Sequence, residues 1–309
     1  MKNTTSTPRW DVLGLGVVAV DDLLYVDAYP PAESKVHVRR RQRQCGGQTG
    51  TALVAAARLG ARTGYAGVLG DDPLSNTVKE CFRAEGIDLR PHVFRDDARP
   101  FHSTIVVDET RHTRTVFACQ EGAVGADPSL PPAEVIRAAR VLLVDHHGLE
   151  GTLRAMRIAR EAEVRIVADF ERDPGPSFAE VLDLVDHLIV PRRFALSLTG
   201  ATEPAAAAQK LWASRRRVVV VTCGREGAWY VDGSSATPLL CPAFPVEVRD
   251  TTGCGDVFHG AYAVGLAQGL DLPRRLRLAS ATAALKATHR GGQAGIPSRQ
   301  TVERFLREA

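Results

Sequence analysis

The chain has 309 residues, 44% apolar and 24% charged, with a formal net charge of +3. That length suffices for one large α/β domain with a sizeable core, and so small a charge makes no electrostatic case for a nucleic-acid partner. Six cysteines without a C-x-x-C pair or a histidine at zinc spacing argue for free thiols in a reducing, cytoplasmic setting; no run of 18 apolar residues indicates a membrane partner, and the polar first nine residues lack a signal-peptide core.

Trp10–Val20 is apolar and β-branched and predicts one buried strand, ending next to Asp21. Its Gly14-x-Gly16-x-x-Ala19 spacing is a variant of the dinucleotide fingerprint. That fingerprint needs a helix to open after the second glycine, and the residues after Gly16 stay strand-like. Asp21, at the end of a central strand, is placed to hydrogen-bond a polyol. Between Tyr25 and Gln44, Pro30 and Pro31 exclude a helix interior. Val36 and Val38 alternate with polar neighbours and predict an exposed strand, its edge guarded by Arg39, Arg40, Arg41 and Arg43. Lys35 is a cation able to swing over a site.

The Gly-rich turn Cys45–Thr51, with Gly46 and Gly47, leads into an alanine-rich helix, Ala52–Leu59, closed by Gly60. Arg62–Gly70 predicts a strand, and Asp71 starts a helix through Arg83. Phe101–Cys119 reads instead as two strands with a short turn. With the Tyr25–Gln44 segment it predicts a small antiparallel sheet, a lid formed by about 22–45 and 99–120 within a single 1–309 domain. From Ala133 strand and helix alternate again, which argues for a mostly parallel sheet. The predicted elements are a helix to Arg140, strand Val141–Asp145, helix Thr152–Ala162, strand Arg165–Asp169, helix Ser177–Asp183, strand His187–Val190, a helix from Glu203 to Arg215, and strand Val218–Thr222. His146 and His147, at a strand end, read as structural or substrate-lining residues. Thr222, Gly224 and Gly227 mark a tight turn suited to a flat or phosphorylated ligand.

The most informative stretch is DTTGCGD, Asp250–Asp256, which leads into a small-residue apolar helix. A glycine-rich turn before a helix N-terminus is an anion cradle. A carboxylate at its lip repels an anion unless it handles a proton. The pattern therefore predicts phosphoryl transfer with Asp256 as general base.

These pieces together resemble the ribokinase-like (PfkB) carbohydrate kinases along nearly the whole chain. Gly46-Gly47 before an alanine-rich helix is similar to that family's first signature. Asp250–Asp256 is similar to its second, with Cys254 for the usual alanine; Thr222-x-Gly224-x-x-Gly227 is similar to its nucleotide turn, and Gly67–Asp72 to a further pattern. The resemblance implies a three-layer α/β fold with a central, mostly parallel sheet and a small β lid over a sugar. It implies ATP and Mg2+, with Asp256 taking the proton of a substrate hydroxyl and the N–H groups of Gly253, Cys254 and Gly255 holding the developing charge. Asp21, Gly46, Gly47 and Thr51 then fall at sugar-contacting positions, Lys35 near them, and Thr222, Gly224 and Gly227 at ATP-contacting ones. A monovalent cation such as K+ would lie near Asp250 and Thr252, and exposed lid edges would pair two subunits in a homodimer. Two departures stand out: Thr51 replaces the Asn that closes the first signature, and the family's N-x-x-E pattern falls on Pro191–Phe194. The Asp250–Pro297 segment is most similar to sulfofructose kinases, and Val26–Gly47 to these and to ketohexokinases. The expected acceptor is a ketose or related small carbohydrate. A nucleoside kinase and a sugar- or nucleotide-binding regulator of the same fold are the alternatives.

Overall fold

The computed structural model describes residues 8–111, 113–213, 215–234 and 237–309. Met1–Thr7, at the start of the polar lead, and Ser214, in the predicted helix from Glu203, lie outside the described residues.

In chain order the strands and helices are β1 (Trp10–Leu15), β2 (Ala19–Val26), β3 (Arg40–Gly46), α1 (Gln48–Arg58), β4 (Thr63–Tyr65), β5 (Val68–Leu69), α2 (Pro73–Ala84), β6 (Val93–Phe94), β7 (Phe101–Asp108) and β8 (Thr113–Cys119). Then follow α3 (Ala133–Arg137), β9 (Ala139–Asp145), α4 (Leu149–Glu161), β10 (Arg165–Asp169), α5 (Phe178–Leu184), β11 (His187–Pro191), α6 (Arg192–Thr199) and α7 (Pro204–Leu211). The chain ends with β12 (Val218–Thr222), β13 (Ala228–Val231), β14 (Leu239–Cys241), α8 (Cys254–Ala267), α9 (Leu272–Ala287) and α10 (Arg299–Glu308).

Eight strands form the main sheet in the order β14-β13-β12-β11-β10-β9-β1-β4. The six from β12 to β4 run parallel, and β13 and β14 return antiparallel. Because side chains alternate along each strand, the sheet buries two separate layers. Val12, Val141, Leu143, Val167, Ile189 and Val220 face α1, α8 and α9; Leu13, Leu142, Val144, Ile166, Leu188 and Val219 face α4, α5 and α7. In the first layer α8 is buried from Val257 to Gly265, packed between α1 and α9. Gly260 allows that approach, since a Cβ there would collide with the Ala52 carbonyl of α1.

The predicted strand Trp10–Val20 is two strands in two different sheets. β1 ends at Leu15, the chain turns at Gly16–Val18, and β2 joins a second, four-stranded sheet ordered β3-β2-β7-β8. The dinucleotide reading fails with it, since Gly14 lies inside β1 and no helix follows. Asp145 explains the turn: its buried carboxylate accepts from Val17 N (2.6 Å), Thr49 Oγ1 (2.8 Å) and His147 N (2.9 Å). Asp21 therefore belongs to β2 of the small sheet, not to the end of a central strand. That sheet is mixed rather than antiparallel, because β2 and β7 pair in parallel.

Val36 and Val38 lie in an exposed non-strand excursion; the edge strand begins at Arg40 instead. Its arginines meet local partners: Arg43 and Arg41 approach Asp22, Arg39 pairs with Asp27, and Arg40 lies over the Tyr25 ring at 4.0 Å. Arg62–Gly70 also divides, into β4 of the main sheet and β5 paired with β6. Strands Arg165–Asp169 and Val218–Thr222 and helix α2, capped by Asp72 on Leu74 N and Ser75 N, match expectation. The six cysteines are free.

Candidate active site

Three loops carry the predicted site residues, and the first two touch each other, Thr51 against Gly253 and Gln44 against Gly292. The first carries DTTGCGD. Gly253 adopts φ 75°, a left-handed conformation that disfavours side chains, and caps α8 without a side-chain hydrogen bond. Cys254 N donates to Thr251 O at 3.2 Å, which closes the turn. The expected cradle is thus altered: Cys254 N–H is engaged, whereas Gly253, Gly255 and Asp256 N–H have no acceptor among the described residues. A Cβ on Gly255 would meet only open space. Free amides at the start of a 14-residue helix, whose dipole points the same way, suit an anion.

Asp256 sits one residue beyond, partly buried. Burial pushes its carboxyl well above the ordinary carboxylate range, and the charges of Asp169, Glu171 and Asp145 add to this, while Lys286 opposes it. Asp169, at the end of β10, is 4% exposed and raised in the same way, by burial and then by Glu171 and Asp145. Its Oδ2 lies 3.3 Å from His259 Nδ1 without forming a well-aligned hydrogen bond. His259, one turn into α8, points Nδ1 at Gly255 O (2.8 Å) and Nε2 at Ile189 O (3.1 Å), which ties the cradle helix to β11. Sequence reading did not single out Asp169 or His259. The only signal is that each stands among apolar residues of a buried element.

The second loop joins β3 to α1. Asp21 is 9% exposed, and its carboxylate packs over Gly46 where a Cβ would collide with it. Burial raises its pKa, against the lowering effects of Ser103 and His102. Gly47 caps α1 at φ 84°. Thr51 is buried behind these residues; its hydroxyl accepts from Gln293 Nε2 at 3.2 Å, and its methyl lies against Gly253. It thus joins α1 to the cradle. Gln44 pairs with Asp21 across the strands, accepts from Gly292 N at 3.2 Å, and leaves its buried Nε2 without a partner. His146 also has an orphaned buried Nδ1, and burial lowers its pKa to about 4, so it is a neutral ring. Its neighbour His147 stacks edge-on to Phe101 of β7. Lys35 lies exposed on the 27–39 excursion, with no hydrogen bond or ion pair to another described residue.

The third loop follows β12. Thr222 ends the strand, Gly224 (φ 58°) and Gly227 (φ 96°) shape the turn, and Cys223 N closes it on Gly227 O at 2.8 Å. Arg192 grips Glu226 of this turn through two 2.8 Å contacts. The Pro191–Phe194 segment therefore supports the turn by charge pairing rather than offering an amide and a carboxylate.

Asp250 is held by the chain's own donors. Its Oδ1 accepts from Thr252 N (2.8 Å) and Thr252 Oγ1 (2.6 Å), and its Oδ2 from Gly291 N (2.8 Å). Its carbonyl accepts from Lys286 Nζ at 2.9 Å. Among the described residues no group of three or more His, Cys, Asp or Glu side chains could hold a metal, and no helix is long and apolar enough to cross a membrane.

Free amides at a helix N-terminus, a carboxylate with a raised pKa at their lip, a glycine turn at the end of β12 and buried polar atoms without partners on Gln44 and His146 suit a phosphotransferase. Residues 15–299 match the family model of the pfkB family carbohydrate kinases. The chain is 28% identical to a ribokinase of Bacillus subtilis over 297 residues, covering 94% of this chain and 98% of that protein. Its fold superposes on a structure from Agrobacterium tumefaciens provisionally described as a ribokinase, with TM-score 0.90, 27% identity and 98% of each chain covered. It also superposes on Arabidopsis thaliana ribokinase complexed with ribose and ATP, with TM-score 0.84, 21% identity, and 97% and 99% of the two chains covered. The chain belongs to the PfkB family and is an ATP-dependent sugar or nucleoside kinase.

Proposed function

We propose that the protein transfers the γ-phosphoryl group of MgATP to a hydroxyl of a small carbohydrate of the ketose type. The observation that carries this reading is the meeting of the free Gly253, Gly255 and Asp256 amides with the raised carboxyl of Asp256. Asp256 takes the acceptor's proton as its oxygen bonds to the γ-phosphorus; the bond to the β-phosphate oxygen breaks, and ADP leaves with that oxygen's charge. The amides at the head of α8 hold the charge that spreads over the transferring group. Mg2+ enters on the ATP phosphates as part of the substrate.

Asp21 and Gly46-Gly47 are the sugar contacts in this reading, joined by the unpartnered Gln44 Nε2 and His146 Nδ1. Unpartnered buried polar atoms are costly, and a polyol supplies what both need. Thr222, Gly224 and Gly227 take the nucleotide. The sheet β3-β2-β7-β8 is the lid. Val116 and Phe117, about half exposed on its edge strand β8, support a homodimer through that sheet.

A coupled ADP-release assay over ketoses, aldoses, sulfosugars and nucleosides tests the reading. ADP release dependent on a ketose supports it. Strict preference for nucleosides replaces the acceptor, and sugar binding without turnover for any acceptor favours a regulator.

A further inference from the structure

The kinase fold brings an expectation of a monovalent cation beside Asp250 and Thr252, and the residues present do not fit one. Asp250 would be its charged ligand, yet both carboxylate oxygens already accept donors from Thr252 and Gly291. The end of α9 is closed in the same way: Ala287 O accepts Arg249 N (2.8 Å) and Asp250 N (3.1 Å), and Lys286 O accepts His289 N (3.0 Å). The Lys286 side chain leaves this same end of α9 and reaches the Asp250 carbonyl. It is 0% exposed and makes its hydrogen bond, 2.9 Å long, to Asp250 O. A fully buried ammonium is rare unless it is paired.

We infer that the Lys286 ammonium is a built-in monovalent cation that holds the Asp250–Gly291 junction and the cradle behind it, so that the kinase needs no K+. The geometry gives it both tasks such an ion would have. It fixes the main chain at the first residue of DTTGCGD, and its single positive charge faces the carboxylates on either side of the turn. Electrostatics agree: the Lys286 charge helps to hold down the carboxyls of Asp250 and Asp256, while burial lowers Lys286 itself and Cys254, Asp250 and Asp256 oppose that shift. Because Asp250 also ties Gly291, and Gly292 N meets Gln44, the same cation indirectly anchors the lid side of the sugar recess. Lys286 touches neither reacting group in this arrangement, so it is a positioning residue.

The test compares KCl, NaCl and choline chloride at equal ionic strength, with melting temperature and ADP release as separate readouts. For the wild-type enzyme the expectation is a melting temperature equal within about 1 °C and rates equal within about twofold, because an unbound ion gives no linkage stabilisation. Lys286→Met is expected to melt lower in choline and to lose about tenfold or more in rate. KCl or NH4Cl should restore part of both, as an ion filling the vacated charge position would by mass action. Lys286→Arg should keep more activity in choline than Lys286→Met. A saturable K+-specific rise in wild-type melting temperature would overturn the inference, as would Lys286→Met behaving like wild type in choline, or being impaired without any response to cations. The wild-type comparison needs no variant to fold, and its melting arm needs no knowledge of the sugar.

Discussion

Asp256 shows how one carboxylate's environment fixes both chemistry and stability. In its proposed role as base Asp256 must be ionised, and its carboxyl is pushed up by burial and by Asp169, Glu171 and Asp145. Turnover should therefore fall as pH drops through a limb well above the ordinary carboxylate range. In Asp169→Asn, which removes the largest of those charge effects, the limb should move to lower pH in a pH–kcat profile; an unmoved limb would separate the two groups. Stability follows the same shift with its own sign. A carboxyl whose folded pKa is raised above its unfolded value contributes stability that is complete below the unfolded pKa and is lost as pH rises through the folded one. Asp256→Asn should accordingly melt above wild type at pH 8, by about 1–3 °C, and show no advantage near pH 4. Differential scanning fluorimetry across that range checks it. The proposed base and its glycines stood out in the sequence because the chemistry proposed for them uses consecutive residues. Asp169 and His259 were not, since their meeting depends on how α8 lies over the ends of β10 and β11.

At the scale of elements, the junction between β1 and β2 decides where Asp21, the proposed sugar contact, goes. The apolar run reads as one strand because hydrophobicity does not register a change of sheet. What turns the chain is Asp145, 128 residues away from Val17, whose carboxylate collects Val17 N, Thr49 Oγ1 and His147 N. Burial raises its pKa, but His147 and these bonds outweigh that and bring it below the ordinary value. Removing it leaves buried donors without an acceptor. Asp145→Ala should therefore cost about 3–5 kcal/mol, and Asp145→Asn less, in denaturant unfolding. A loss below about 1 kcal/mol would mean the two sheets are joined by other contacts. Helix α2 and strands β10 and β12 were readable because their signals are local: an Asp-Pro start, and short β-branched runs. Val36 and Val38 carried the same alternation without forming a strand, and the neighbouring arginines that do pair find their partners in Asp22 and Asp27 of the β2 side.

For the whole molecule, strand–helix alternation was enough to anticipate a mostly parallel sheet, and the family resemblance added the helical layers on either side. They could not give the order β14-β13-β12-β11-β10-β9-β1-β4, which depends on which edge each crossover takes. Two hairpin-like segments outside the alternation predicted the small sheet and its proposed role as a lid, and the structure makes that sheet mixed rather than antiparallel. If its β8 edge joins two subunits, light scattering should give twice the 33.3 kDa chain mass, and Phe117→Glu should shift it toward monomer. A wild-type monomer at micromolar concentration would remove the homodimer. The central claim is that Asp256 moves the acceptor's proton at an otherwise intact site. Its most direct measurement is ADP release by wild type and Asp256→Asn with the best sugar of the panel, alongside calorimetric binding of that sugar to both. The expectation is unchanged binding with turnover lower by about 10²–10⁴. An Asp256→Asn enzyme within about tenfold of wild type would contradict it.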